Sequence, residues 1–105
     1  MVYIAGPFTA GYGGNEAQNI AAAVRVAERY FRMGYTTICP HKNMWHIEGC
    51  NYEDYLAADF AIILRCNAVV MMKNWRESQG ASREMAFALR NKIPVHYDGG
   101  NVAIN

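Results

Sequence analysis

Two acidic residues, Asp59 within an apolar stretch and Glu84 at the edge of an apolar helical stripe, are the side chains of this sequence best suited to chemistry. Asp59 interrupts the apolar stretch Leu56–Ile63. An unpaired buried carboxylate is costly, so Asp59 is expected to be buried with a partner or to face a cleft. Carboxylates in such places act as nucleophiles or as proton donors and acceptors. The alternative for Asp59 is a solvated position on a polar helix face.

Glu84 belongs to the segment Trp75–Ala88, which follows the apolar, β-branched stretch Ala68–Met72. That stretch predicts a buried strand, and the polar residues after it predict a loop. A helix is expected next, with Ser78 as its N-cap, because a serine hydroxyl can accept from the free amides of the first turn. The apolar positions of this helix repeat at helical spacing, at Ala81, Met85, Ala88 and Leu89.

The carboxylate of Glu84 is predicted to point toward the junction of strand, loop and helix, because helical side chains lean toward the N-terminus of their helix. Gly80 lies one turn earlier on nearly the same face, and its missing side chain leaves the approach open. The N–H groups of the helix terminus are available to an anionic part of a ligand. The alternative is that Glu84 is a solvated residue at the edge of the apolar stripe and that Gly80 only packs helix against strand.

Predicted strands and helices alternate along the chain. The expected strands are 2–5, 35–39, 68–72 and 93–97, and the expected helices are 16–33, 51–65 and the one that begins after Ser78. Alternation of this kind predicts a parallel sheet with right-handed crossovers and helices on both faces. The predicted fold is a single α/β domain, a flavodoxin- or Rossmann-like three-layer sandwich with four to five parallel strands.

In such sheets ligands bind beyond the carboxyl ends of the strands, where strand order reverses. Tyr3, Asp59, the loop that begins at Gly6 and the segment 78–84 are all expected at that edge. The glycine-rich loop does not meet the dinucleotide pattern G-x-G-x-x-G, and Pro7 removes an amide that a pyrophosphate would use. A Rossmann dinucleotide site is therefore not expected.

The segment 41–50 is predicted to be an irregular loop that covers a substrate, with His41 as a contact. Its histidines, His41 and His46, lack the H-E-x-x-H spacing, and no carboxylate completes a metal triad. We therefore expect neither a metal nor a cofactor. Among the aromatic residues, Phe8, Trp45 and Trp75 could stack on a ring of a ligand, although core or interface packing is the commoner role of such side chains.

Composition restricts the class of protein. The sequence has 105 residues, which is one domain, and 52% of them are hydrophobic, which is typical of a globular chain. A formal net charge of +1 without a Lys/Arg run argues against a polymeric nucleic acid as partner. No apolar stretch is long enough for a membrane span, and the N-terminus does not look like a signal peptide. The three cysteines include no C-x-x-C pair, so free thiols in a cytoplasmic protein are expected.

Aromatic residues on the predicted helices exceed what so small a core needs. They are Tyr30, Phe31, Tyr52 and Tyr55. This surplus predicts a homo-oligomer.

Three parts of the chain together resemble the nucleoside 2-deoxyribosyltransferase superfamily. They are the opening Val2–Phe8, the helix that carries Asp59, and the spacing Ser78-x-Gly80-x-x-x-Glu84 followed by Met85–Ala88. The superfamily includes nucleoside 5′-monophosphate N-glycosidases and many small phage-encoded relatives. The resemblance covers nearly the whole chain in the same order.

The resemblance implies roles for individual residues. The glutamate matching Glu84 is the nucleophile at the anomeric carbon, the aspartate matching Asp59 assists at the base or sugar, and the tyrosine matching Tyr3 orients the nucleophile. Members that act on 5′-monophosphates carry a serine at the position of Ser78, whereas members that act on free nucleosides carry an aspartate. A serine at a helix N-terminus suits a phosphate, which an aspartate would repel. The implied substrate is a nucleotide, and the implied substrate contacts are Gly6, Pro7, Phe8, His41, Trp75, Ser78 and Gly80.

The chain also departs from this superfamily. It is shorter than the transferases, and Asn67 stands where relatives often carry an acid. Residues near the C-terminus of relatives complete the site of a neighbouring subunit, and here only Asn101 or Asn105 could do so. Three hypotheses follow: a hydrolase that releases the base from a nucleotide, a transferase that moves 2-deoxyribose between bases, and a nucleotide-binding protein without catalysis.

Overall fold

The described part of the computed structural model, residues 1–6, 16–39 and 49–99, forms four strands and three α-helices. In chain order these are β1 (Val2–Ala5), α1 (Glu16–Arg32), β2 (Thr37–Ile38), α2 (Tyr52–Ile63), β3 (Ala68–Met71), α3 (Gln79–Arg90) and β4 (Val95–Tyr97). A single 3₁₀ turn, Trp75–Glu77, joins β3 to α3. The alternation of strands and helices that the sequence predicts is confirmed.

The four strands form one parallel sheet in the order β2-β1-β3-β4. Tyr3 of β1 lies between Ile38 of β2 and Val69 of β3. Because the chain leaves β1 toward β2 but leaves β3 toward β4, strand order reverses between β1 and β3. This is the place in the sheet at which open α/β folds bind ligands.

Both faces of the sheet are covered, so the fold is the predicted three-layer α/β sandwich. On one face, Val2, Ile4 and Val70 pack against Ala23 and Val26 of α1. On the other face, Tyr3, Val69 and Met71 pack with Ile63 of α2 and with Ala81 and Ala88 of α3. The alternation of side chains along each strand divides them between two cores, which explains why the central strands are apolar throughout.

The two helices on the second face are joined directly to each other. The rings of Phe60 in α2 and Phe87 in α3 are stacked, with centroids 4.2 Å apart and an interplanar angle of 2°. Arg83 also donates to both carboxylate oxygens of Glu53, at 2.8 and 3.2 Å. The ion pair is exposed and contributes little, so we assign most of the stabilisation to the contact between the two half-buried rings.

Local capping groups determine where the helices begin and end. Asn51 and Asp54 form a capping box at the start of α2, with bonds of 3.0 and 2.9 Å. Gly34, at φ +102°, ends α1, and the amides of Gly34 and Tyr35 bond to carbonyls of the last turn. The corresponding position after α3 is Lys92, at φ +59°, which is a left-handed conformation that glycine adopts more easily.

The outer strands are shorter than predicted. The sequence predicts strands over 35–39 and 93–97, whereas β2 comprises Thr37–Ile38 and β4 comprises Val95–Tyr97. Among the described strands, each lies at an edge of the sheet and pairs on one side only. Pro94 has no N–H to donate, although its carbonyl accepts from Val69, and this agrees with a strand that begins one residue later.

An ion pair connects α1 to the end of β4. Arg29 donates to both carboxylate oxygens of Asp98, at 2.7 and 2.8 Å, and the Asp98 side chain is only 7% exposed. Both bonds come from one guanidinium nitrogen, Nη2, and a charge-assisted bond to a shielded carboxylate is stronger than an exposed pair. The negative charge of Asp98 is therefore matched within the fold.

The aromatic residues of α1 have different environments. Tyr30, which the sequence predicts to be surplus to the core, is 7% exposed and belongs to the core beneath α1. That part of the argument for an oligomer is wrong, because Tyr30 is needed to fill the core. Phe31, by contrast, is 67% exposed.

Candidate functional site

Tyr3 and Glu84 form a buried hydrogen bond between β1 and α3. The phenolic O–H of Tyr3 donates to Oε2 of Glu84. Tyr3 is fully buried, and Glu84 is 6% exposed between the buried alanines Ala81 and Ala88 of α3. Small side chains on both sides of Glu84 let α3 approach the sheet closely enough for its carboxylate to reach the strand. Glu84 is therefore part of the buried stripe, and the alternative of a solvated edge position is wrong.

Asp59 of α2 lies beside this pair. Its carboxylate is close enough for its charge to act on both Glu84 and Tyr3. The atom Oδ1 of Asp59 is buried and has no hydrogen-bond partner among the described residues. The alternative of a fully solvated position for Asp59 is therefore wrong too. Tyr3, Asp59 and Glu84, which we call the acidic cluster, lie close together on one face of the sheet. Their proximity agrees with the prediction, but Tyr3 is fully buried within β1 and does not lie beyond the carboxyl ends of the strands, where the sequence predicts the three residues.

Burial dominates the proton affinities of the acidic cluster. It raises the pKa of Glu84 well above its usual value, and the charge of Asp59 raises it further, while the hydrogen bond from Tyr3 opposes the rise. The pKa of Asp59 is also raised by burial, and its interactions with Glu84 and Tyr3 oppose this change. Two carboxyl groups this close titrate as a pair, so the cluster favours a state with one shared negative charge.

Tyr3 remains protonated under ordinary conditions. Its burial, followed by the charges of Glu84 and Asp59, raises the pKa of the phenol well above 10.0. A phenol that keeps its hydrogen can donate it to a carboxylate, and the donation to Oε2 of Glu84 stabilises negative charge on that residue.

Ser78 is the N-cap of α3, as predicted. Its side chain is buried, and Oγ accepts from the amide of Ala81 at 3.0 Å. A serine hydroxyl that accepts one bond still has a hydrogen to donate. Gly80 is the second residue of α3 and is half-buried. Both residues thus lie at the helix N-terminus, with Gly80 about one turn and Ser78 nearly two turns before Glu84.

Of the remaining predicted substrate contacts, Gly6 packs against the core and three lie outside the described residues. Gly6 is buried against Met72, and a Cβ at Gly6 would lie 2.9 Å from Cγ of Met72 and even closer to its sulfur. Close packing is thus a sufficient reason for a glycine at this position. Pro7, Phe8 and His41 lie outside the described residues.

Trp75 lines a cleft that does not include the acidic cluster. The cleft has a volume of about 310 Å³ and lies where β3 and β4 end, with Lys73, Arg76, Tyr97 and Asp98 in its wall. Sequence reasoning missed this cleft. One half of the cleft comes from the turn after β3 and the other from the end of β4. The cleft can therefore be predicted only if the pairing of β3 with β4 is known. The only hint of the cleft in the sequence was the neighbouring pair Trp75 and Arg76, an aromatic ring beside a cation.

The described part of the chain shows neither a cluster of metal ligands nor a membrane-spanning helix. Residues 1–6, 16–39 and 49–99 contain no group of three or more His, Cys, Asp or Glu side chains that could hold a metal ion. His41 and His46 are not among these residues. Of the helices in the same ranges, none combines the length and apolar character of a transmembrane span.

Comparison with known families gives one result. A family model described as "Domain of unknown function (DUF4406)" matches residues 1–97. The chain belongs to this family. The DUF4406 match extends from β1 to the end of β4 and so includes all three residues of the acidic cluster. Searches of curated proteins and of solved structures gave no match.

Proposed function

We propose that this protein is a nucleoside 5′-monophosphate N-glycosidase in which Glu84 is the nucleophile. The observation that carries the proposal is the buried contact between Tyr3 and Glu84 with Asp59 beside it. Buried acids with strongly perturbed proton affinities are uncommon outside functional sites, because structural positions rarely tolerate them. The resemblance to the nucleoside 2-deoxyribosyltransferase superfamily gives the same three residues as catalytic.

The proposed reaction has two steps. The carboxylate of Glu84 attacks the anomeric carbon C1′, and the bond from C1′ to the base nitrogen breaks as the base takes a proton from Asp59. Water then attacks the glycosyl ester, gives a proton to Asp59 and releases the sugar 5-phosphate. The same double use of one carboxylate is the retaining mechanism of O-glycosidases. A carboxylate at C1′ also stabilises the oxocarbenium character of both transition states.

The hydrogen-bonding pattern suits this division of roles. Oε2 of Glu84 receives the Tyr3 hydrogen, which favours the anion at the nucleophile. Oδ1 of Asp59 receives no hydrogen bond in the described part of the chain, and a buried carboxylate oxygen without a donor is better protonated. Acid-assisted glycosidic cleavage requires one ionised and one neutral carboxyl group. The proposal therefore requires the Tyr3 hydrogen bond to favour ionisation of Glu84 against burial and the charge of Asp59, both of which raise its pKa, and it leaves the proton on Asp59.

The N-terminus of α3 is the proposed phosphate site. Ser78 is uncharged, and its hydroxyl retains a hydrogen to donate. Helix N-termini favour anions through their free amides and the helix dipole, so an aspartate at Ser78 would weaken phosphate binding there. This argument, together with the resemblance, favours 5′-monophosphates over free nucleosides.

Base transfer is the second candidate function. Glu84 is only 6% exposed, and a shielded glycosyl ester survives longer for a second base to attack. A transferase and a hydrolase share the first step, and they differ in whether a second base or water then attacks the glycosyl ester. The two functions separate when a second base is added, since a transferase forms the exchanged nucleoside and a hydrolase forms free sugar phosphate.

The test is incubation with a panel of ribo- and deoxyribonucleoside monophosphates, followed by chromatography of the free base. We expect base release by the wild type and by Glu28→Gln, a matched control at an exposed position of α1, but not by Glu84→Gln. Ser78→Asp retains the N-cap and should shift preference toward unphosphorylated nucleosides. Undiminished release by Glu84→Gln would exclude the assigned nucleophile. Thermal stabilisation by a nucleotide without turnover would instead support a binding protein.

A further inference from the structure

The cleft at the ends of β3 and β4 combines aromatic and cationic groups. The rings of Trp75 and Tyr97 are tilted at 41°, with centroids 6.0 Å apart. The guanidinium carbon of Arg76 lies 4.9 Å from the centroid of the Trp75 ring. An anion held by Arg76 would therefore lie beside two aromatic rings, and a ring attached to that anion would contact them.

The charges of the cleft favour an anion. Lys73 and Arg76 are both exposed cations in its wall, and the carboxylate of Asp98 is already bound by Arg29 at 2.7 and 2.8 Å. The stem of Lys73 passes over Gly99, where an added Cβ would lie 3.0 Å from Cε of Lys73. Gly99 therefore lets the lysine lie close to the backbone at the cleft. With Asp98 neutralised, the two cations leave the cleft with excess positive charge.

The volume of the cleft limits its ligand. About 310 Å³ is at the lower end of the range for small-molecule sites, which is roughly 300–1,000 Å³. We propose that this cleft is a second ligand site, distinct from the acidic cluster, that binds a small aromatic anion: one ring with an attached phosphate or carboxylate group. Trp75 and Tyr97 contact the ring, and Lys73 and Arg76 bind the anionic group.

The cleft also has a physical connection to the core. Met71 and Met72 line it, and Met72 packs against Gly6, the residue that follows β1. Both methionines are buried, so the inner wall of the cleft is part of the packed sheet and is formed before any ligand arrives. A preformed wall avoids the entropic cost of ordering a site on binding.

The test is isothermal titration calorimetry with phenyl phosphate, benzoate, inorganic phosphate and phenol. We expect saturable binding of phenyl phosphate or benzoate, and whichever binds more tightly identifies the anionic group. Inorganic phosphate and phenol should each bind at least about tenfold more weakly, because each lacks one of the two recognised parts. High salt should weaken the binding, because Lys73 and Arg76 are exposed.

Variants localise the ligand. The double variant Lys73→Gln/Arg76→Gln should lose about tenfold or more in affinity, whereas Arg90→Gln/Lys92→Gln removes two exposed cations elsewhere and should retain wild-type affinity. Trp75→Leu should weaken binding as well. Glu84→Gln should leave it unchanged, so this test is independent of the proposed glycosidase. The absence of saturable binding, equal affinity in both double variants, or loss of binding in Glu84→Gln alone would overturn the proposal.

Discussion

Tyr3 donates its hydroxyl hydrogen to Glu84, although 81 positions separate the two residues in the sequence. One residue lies in the central strand β1, and the other lies on the buried face of α3. The contact thus connects the centre of the sheet to the helix that carries the proposed nucleophile. It has consequences for proton affinity, for stability and for catalysis, and each can be measured.

Replacing Tyr3 with phenylalanine should lower activity and move its dependence on pH. The hydrogen bond lowers the pKa of Glu84, so its loss raises that pKa, and the acid limb of the rate profile should move to higher pH. A hydrogen bond to a charged group contributes about 1.5–3 kcal/mol, which corresponds to roughly 10- to 100-fold in rate. The measurement is kcat between pH 4 and 10, with Tyr97→Phe as control. An acid limb at its original pH would contradict the proposed role of Tyr3.

Replacing Glu84 with glutamine should stabilise the fold at neutral pH. The folded-state pKa of Glu84 is raised above its usual 4.5, so unfolding releases a proton between 4.5 and the raised value. The free energy of unfolding of the wild type therefore falls as pH rises through that window. Glutamine does not titrate, and it can still accept from Tyr3 through Oε1.

The expected gain at neutral pH is about 1–3 kcal/mol, or several degrees in Tm, and it should vanish near pH 4. Thermal unfolding followed by circular dichroism from pH 4 to 8 measures it. If the difference in Tm between wild type and variant were the same at every pH in this range, the pKa of Glu84 would not be raised in the folded protein.

Replacing Asp59 with asparagine should remove the alkaline limb of the rate profile. In the proposed mechanism the neutral Asp59 gives a proton to the departing base, and loss of that proton at high pH stops the reaction. The amide cannot supply the proton, so the rate should fall about 10²- to 10⁴-fold, most for bases that leave poorly as anions. The measurement is kcat against pH for several substrates. A bell-shaped profile that keeps both limbs would assign the proton donor to another group.

Replacing Lys92 with glycine should stabilise the protein. Lys92 has φ +59°, and relief of the left-handed strain exceeds the added flexibility of the unfolded chain by about 0.5 kcal/mol. The matched comparison is Ala86→Gly, at an exposed position inside α3, which should cost about 1 kcal/mol. Urea denaturation of both variants measures the difference. A loss of stability in Lys92→Gly would show that the lysine side chain contributes more than its strained backbone costs.

Much of the fold was predictable because its signals are local. Ser78 and Asn51 stand at the N-terminal ends of their helices, and Gly34 ends α1, because capping depends on a few adjacent residues. The parallel sheet followed from the alternation of elements. The proximity of Tyr3, Asp59 and Glu84 was expected from the order of the elements, but their burial was not, since the edge argument places them beyond the carboxyl ends of the strands and Tyr3 lies two residues before the end of β1.

The remaining features depend on contacts between distant segments. The burial of Glu84 depends on α2 lying against α3 through Phe60 and Phe87, and helical spacing alone does not reveal that contact. The short β2 and β4 depend on their positions at the edges of the sheet. Nor does a sequence pattern predict the left-handed Lys92, because a glycine is the usual signal there.

The position of Tyr3 affects how variants of this protein can be selected. Its ring fills the core beneath α3, and its hydroxyl holds Glu84. In a saturation library at this codon, soluble yield and turnover should therefore decline together for nearly every replacement, and a screen on cell lysates would confuse misfolding with inactivity. Phenylalanine is the exception because it keeps the ring, so it is the substitution with which expression and chemistry can be scored separately.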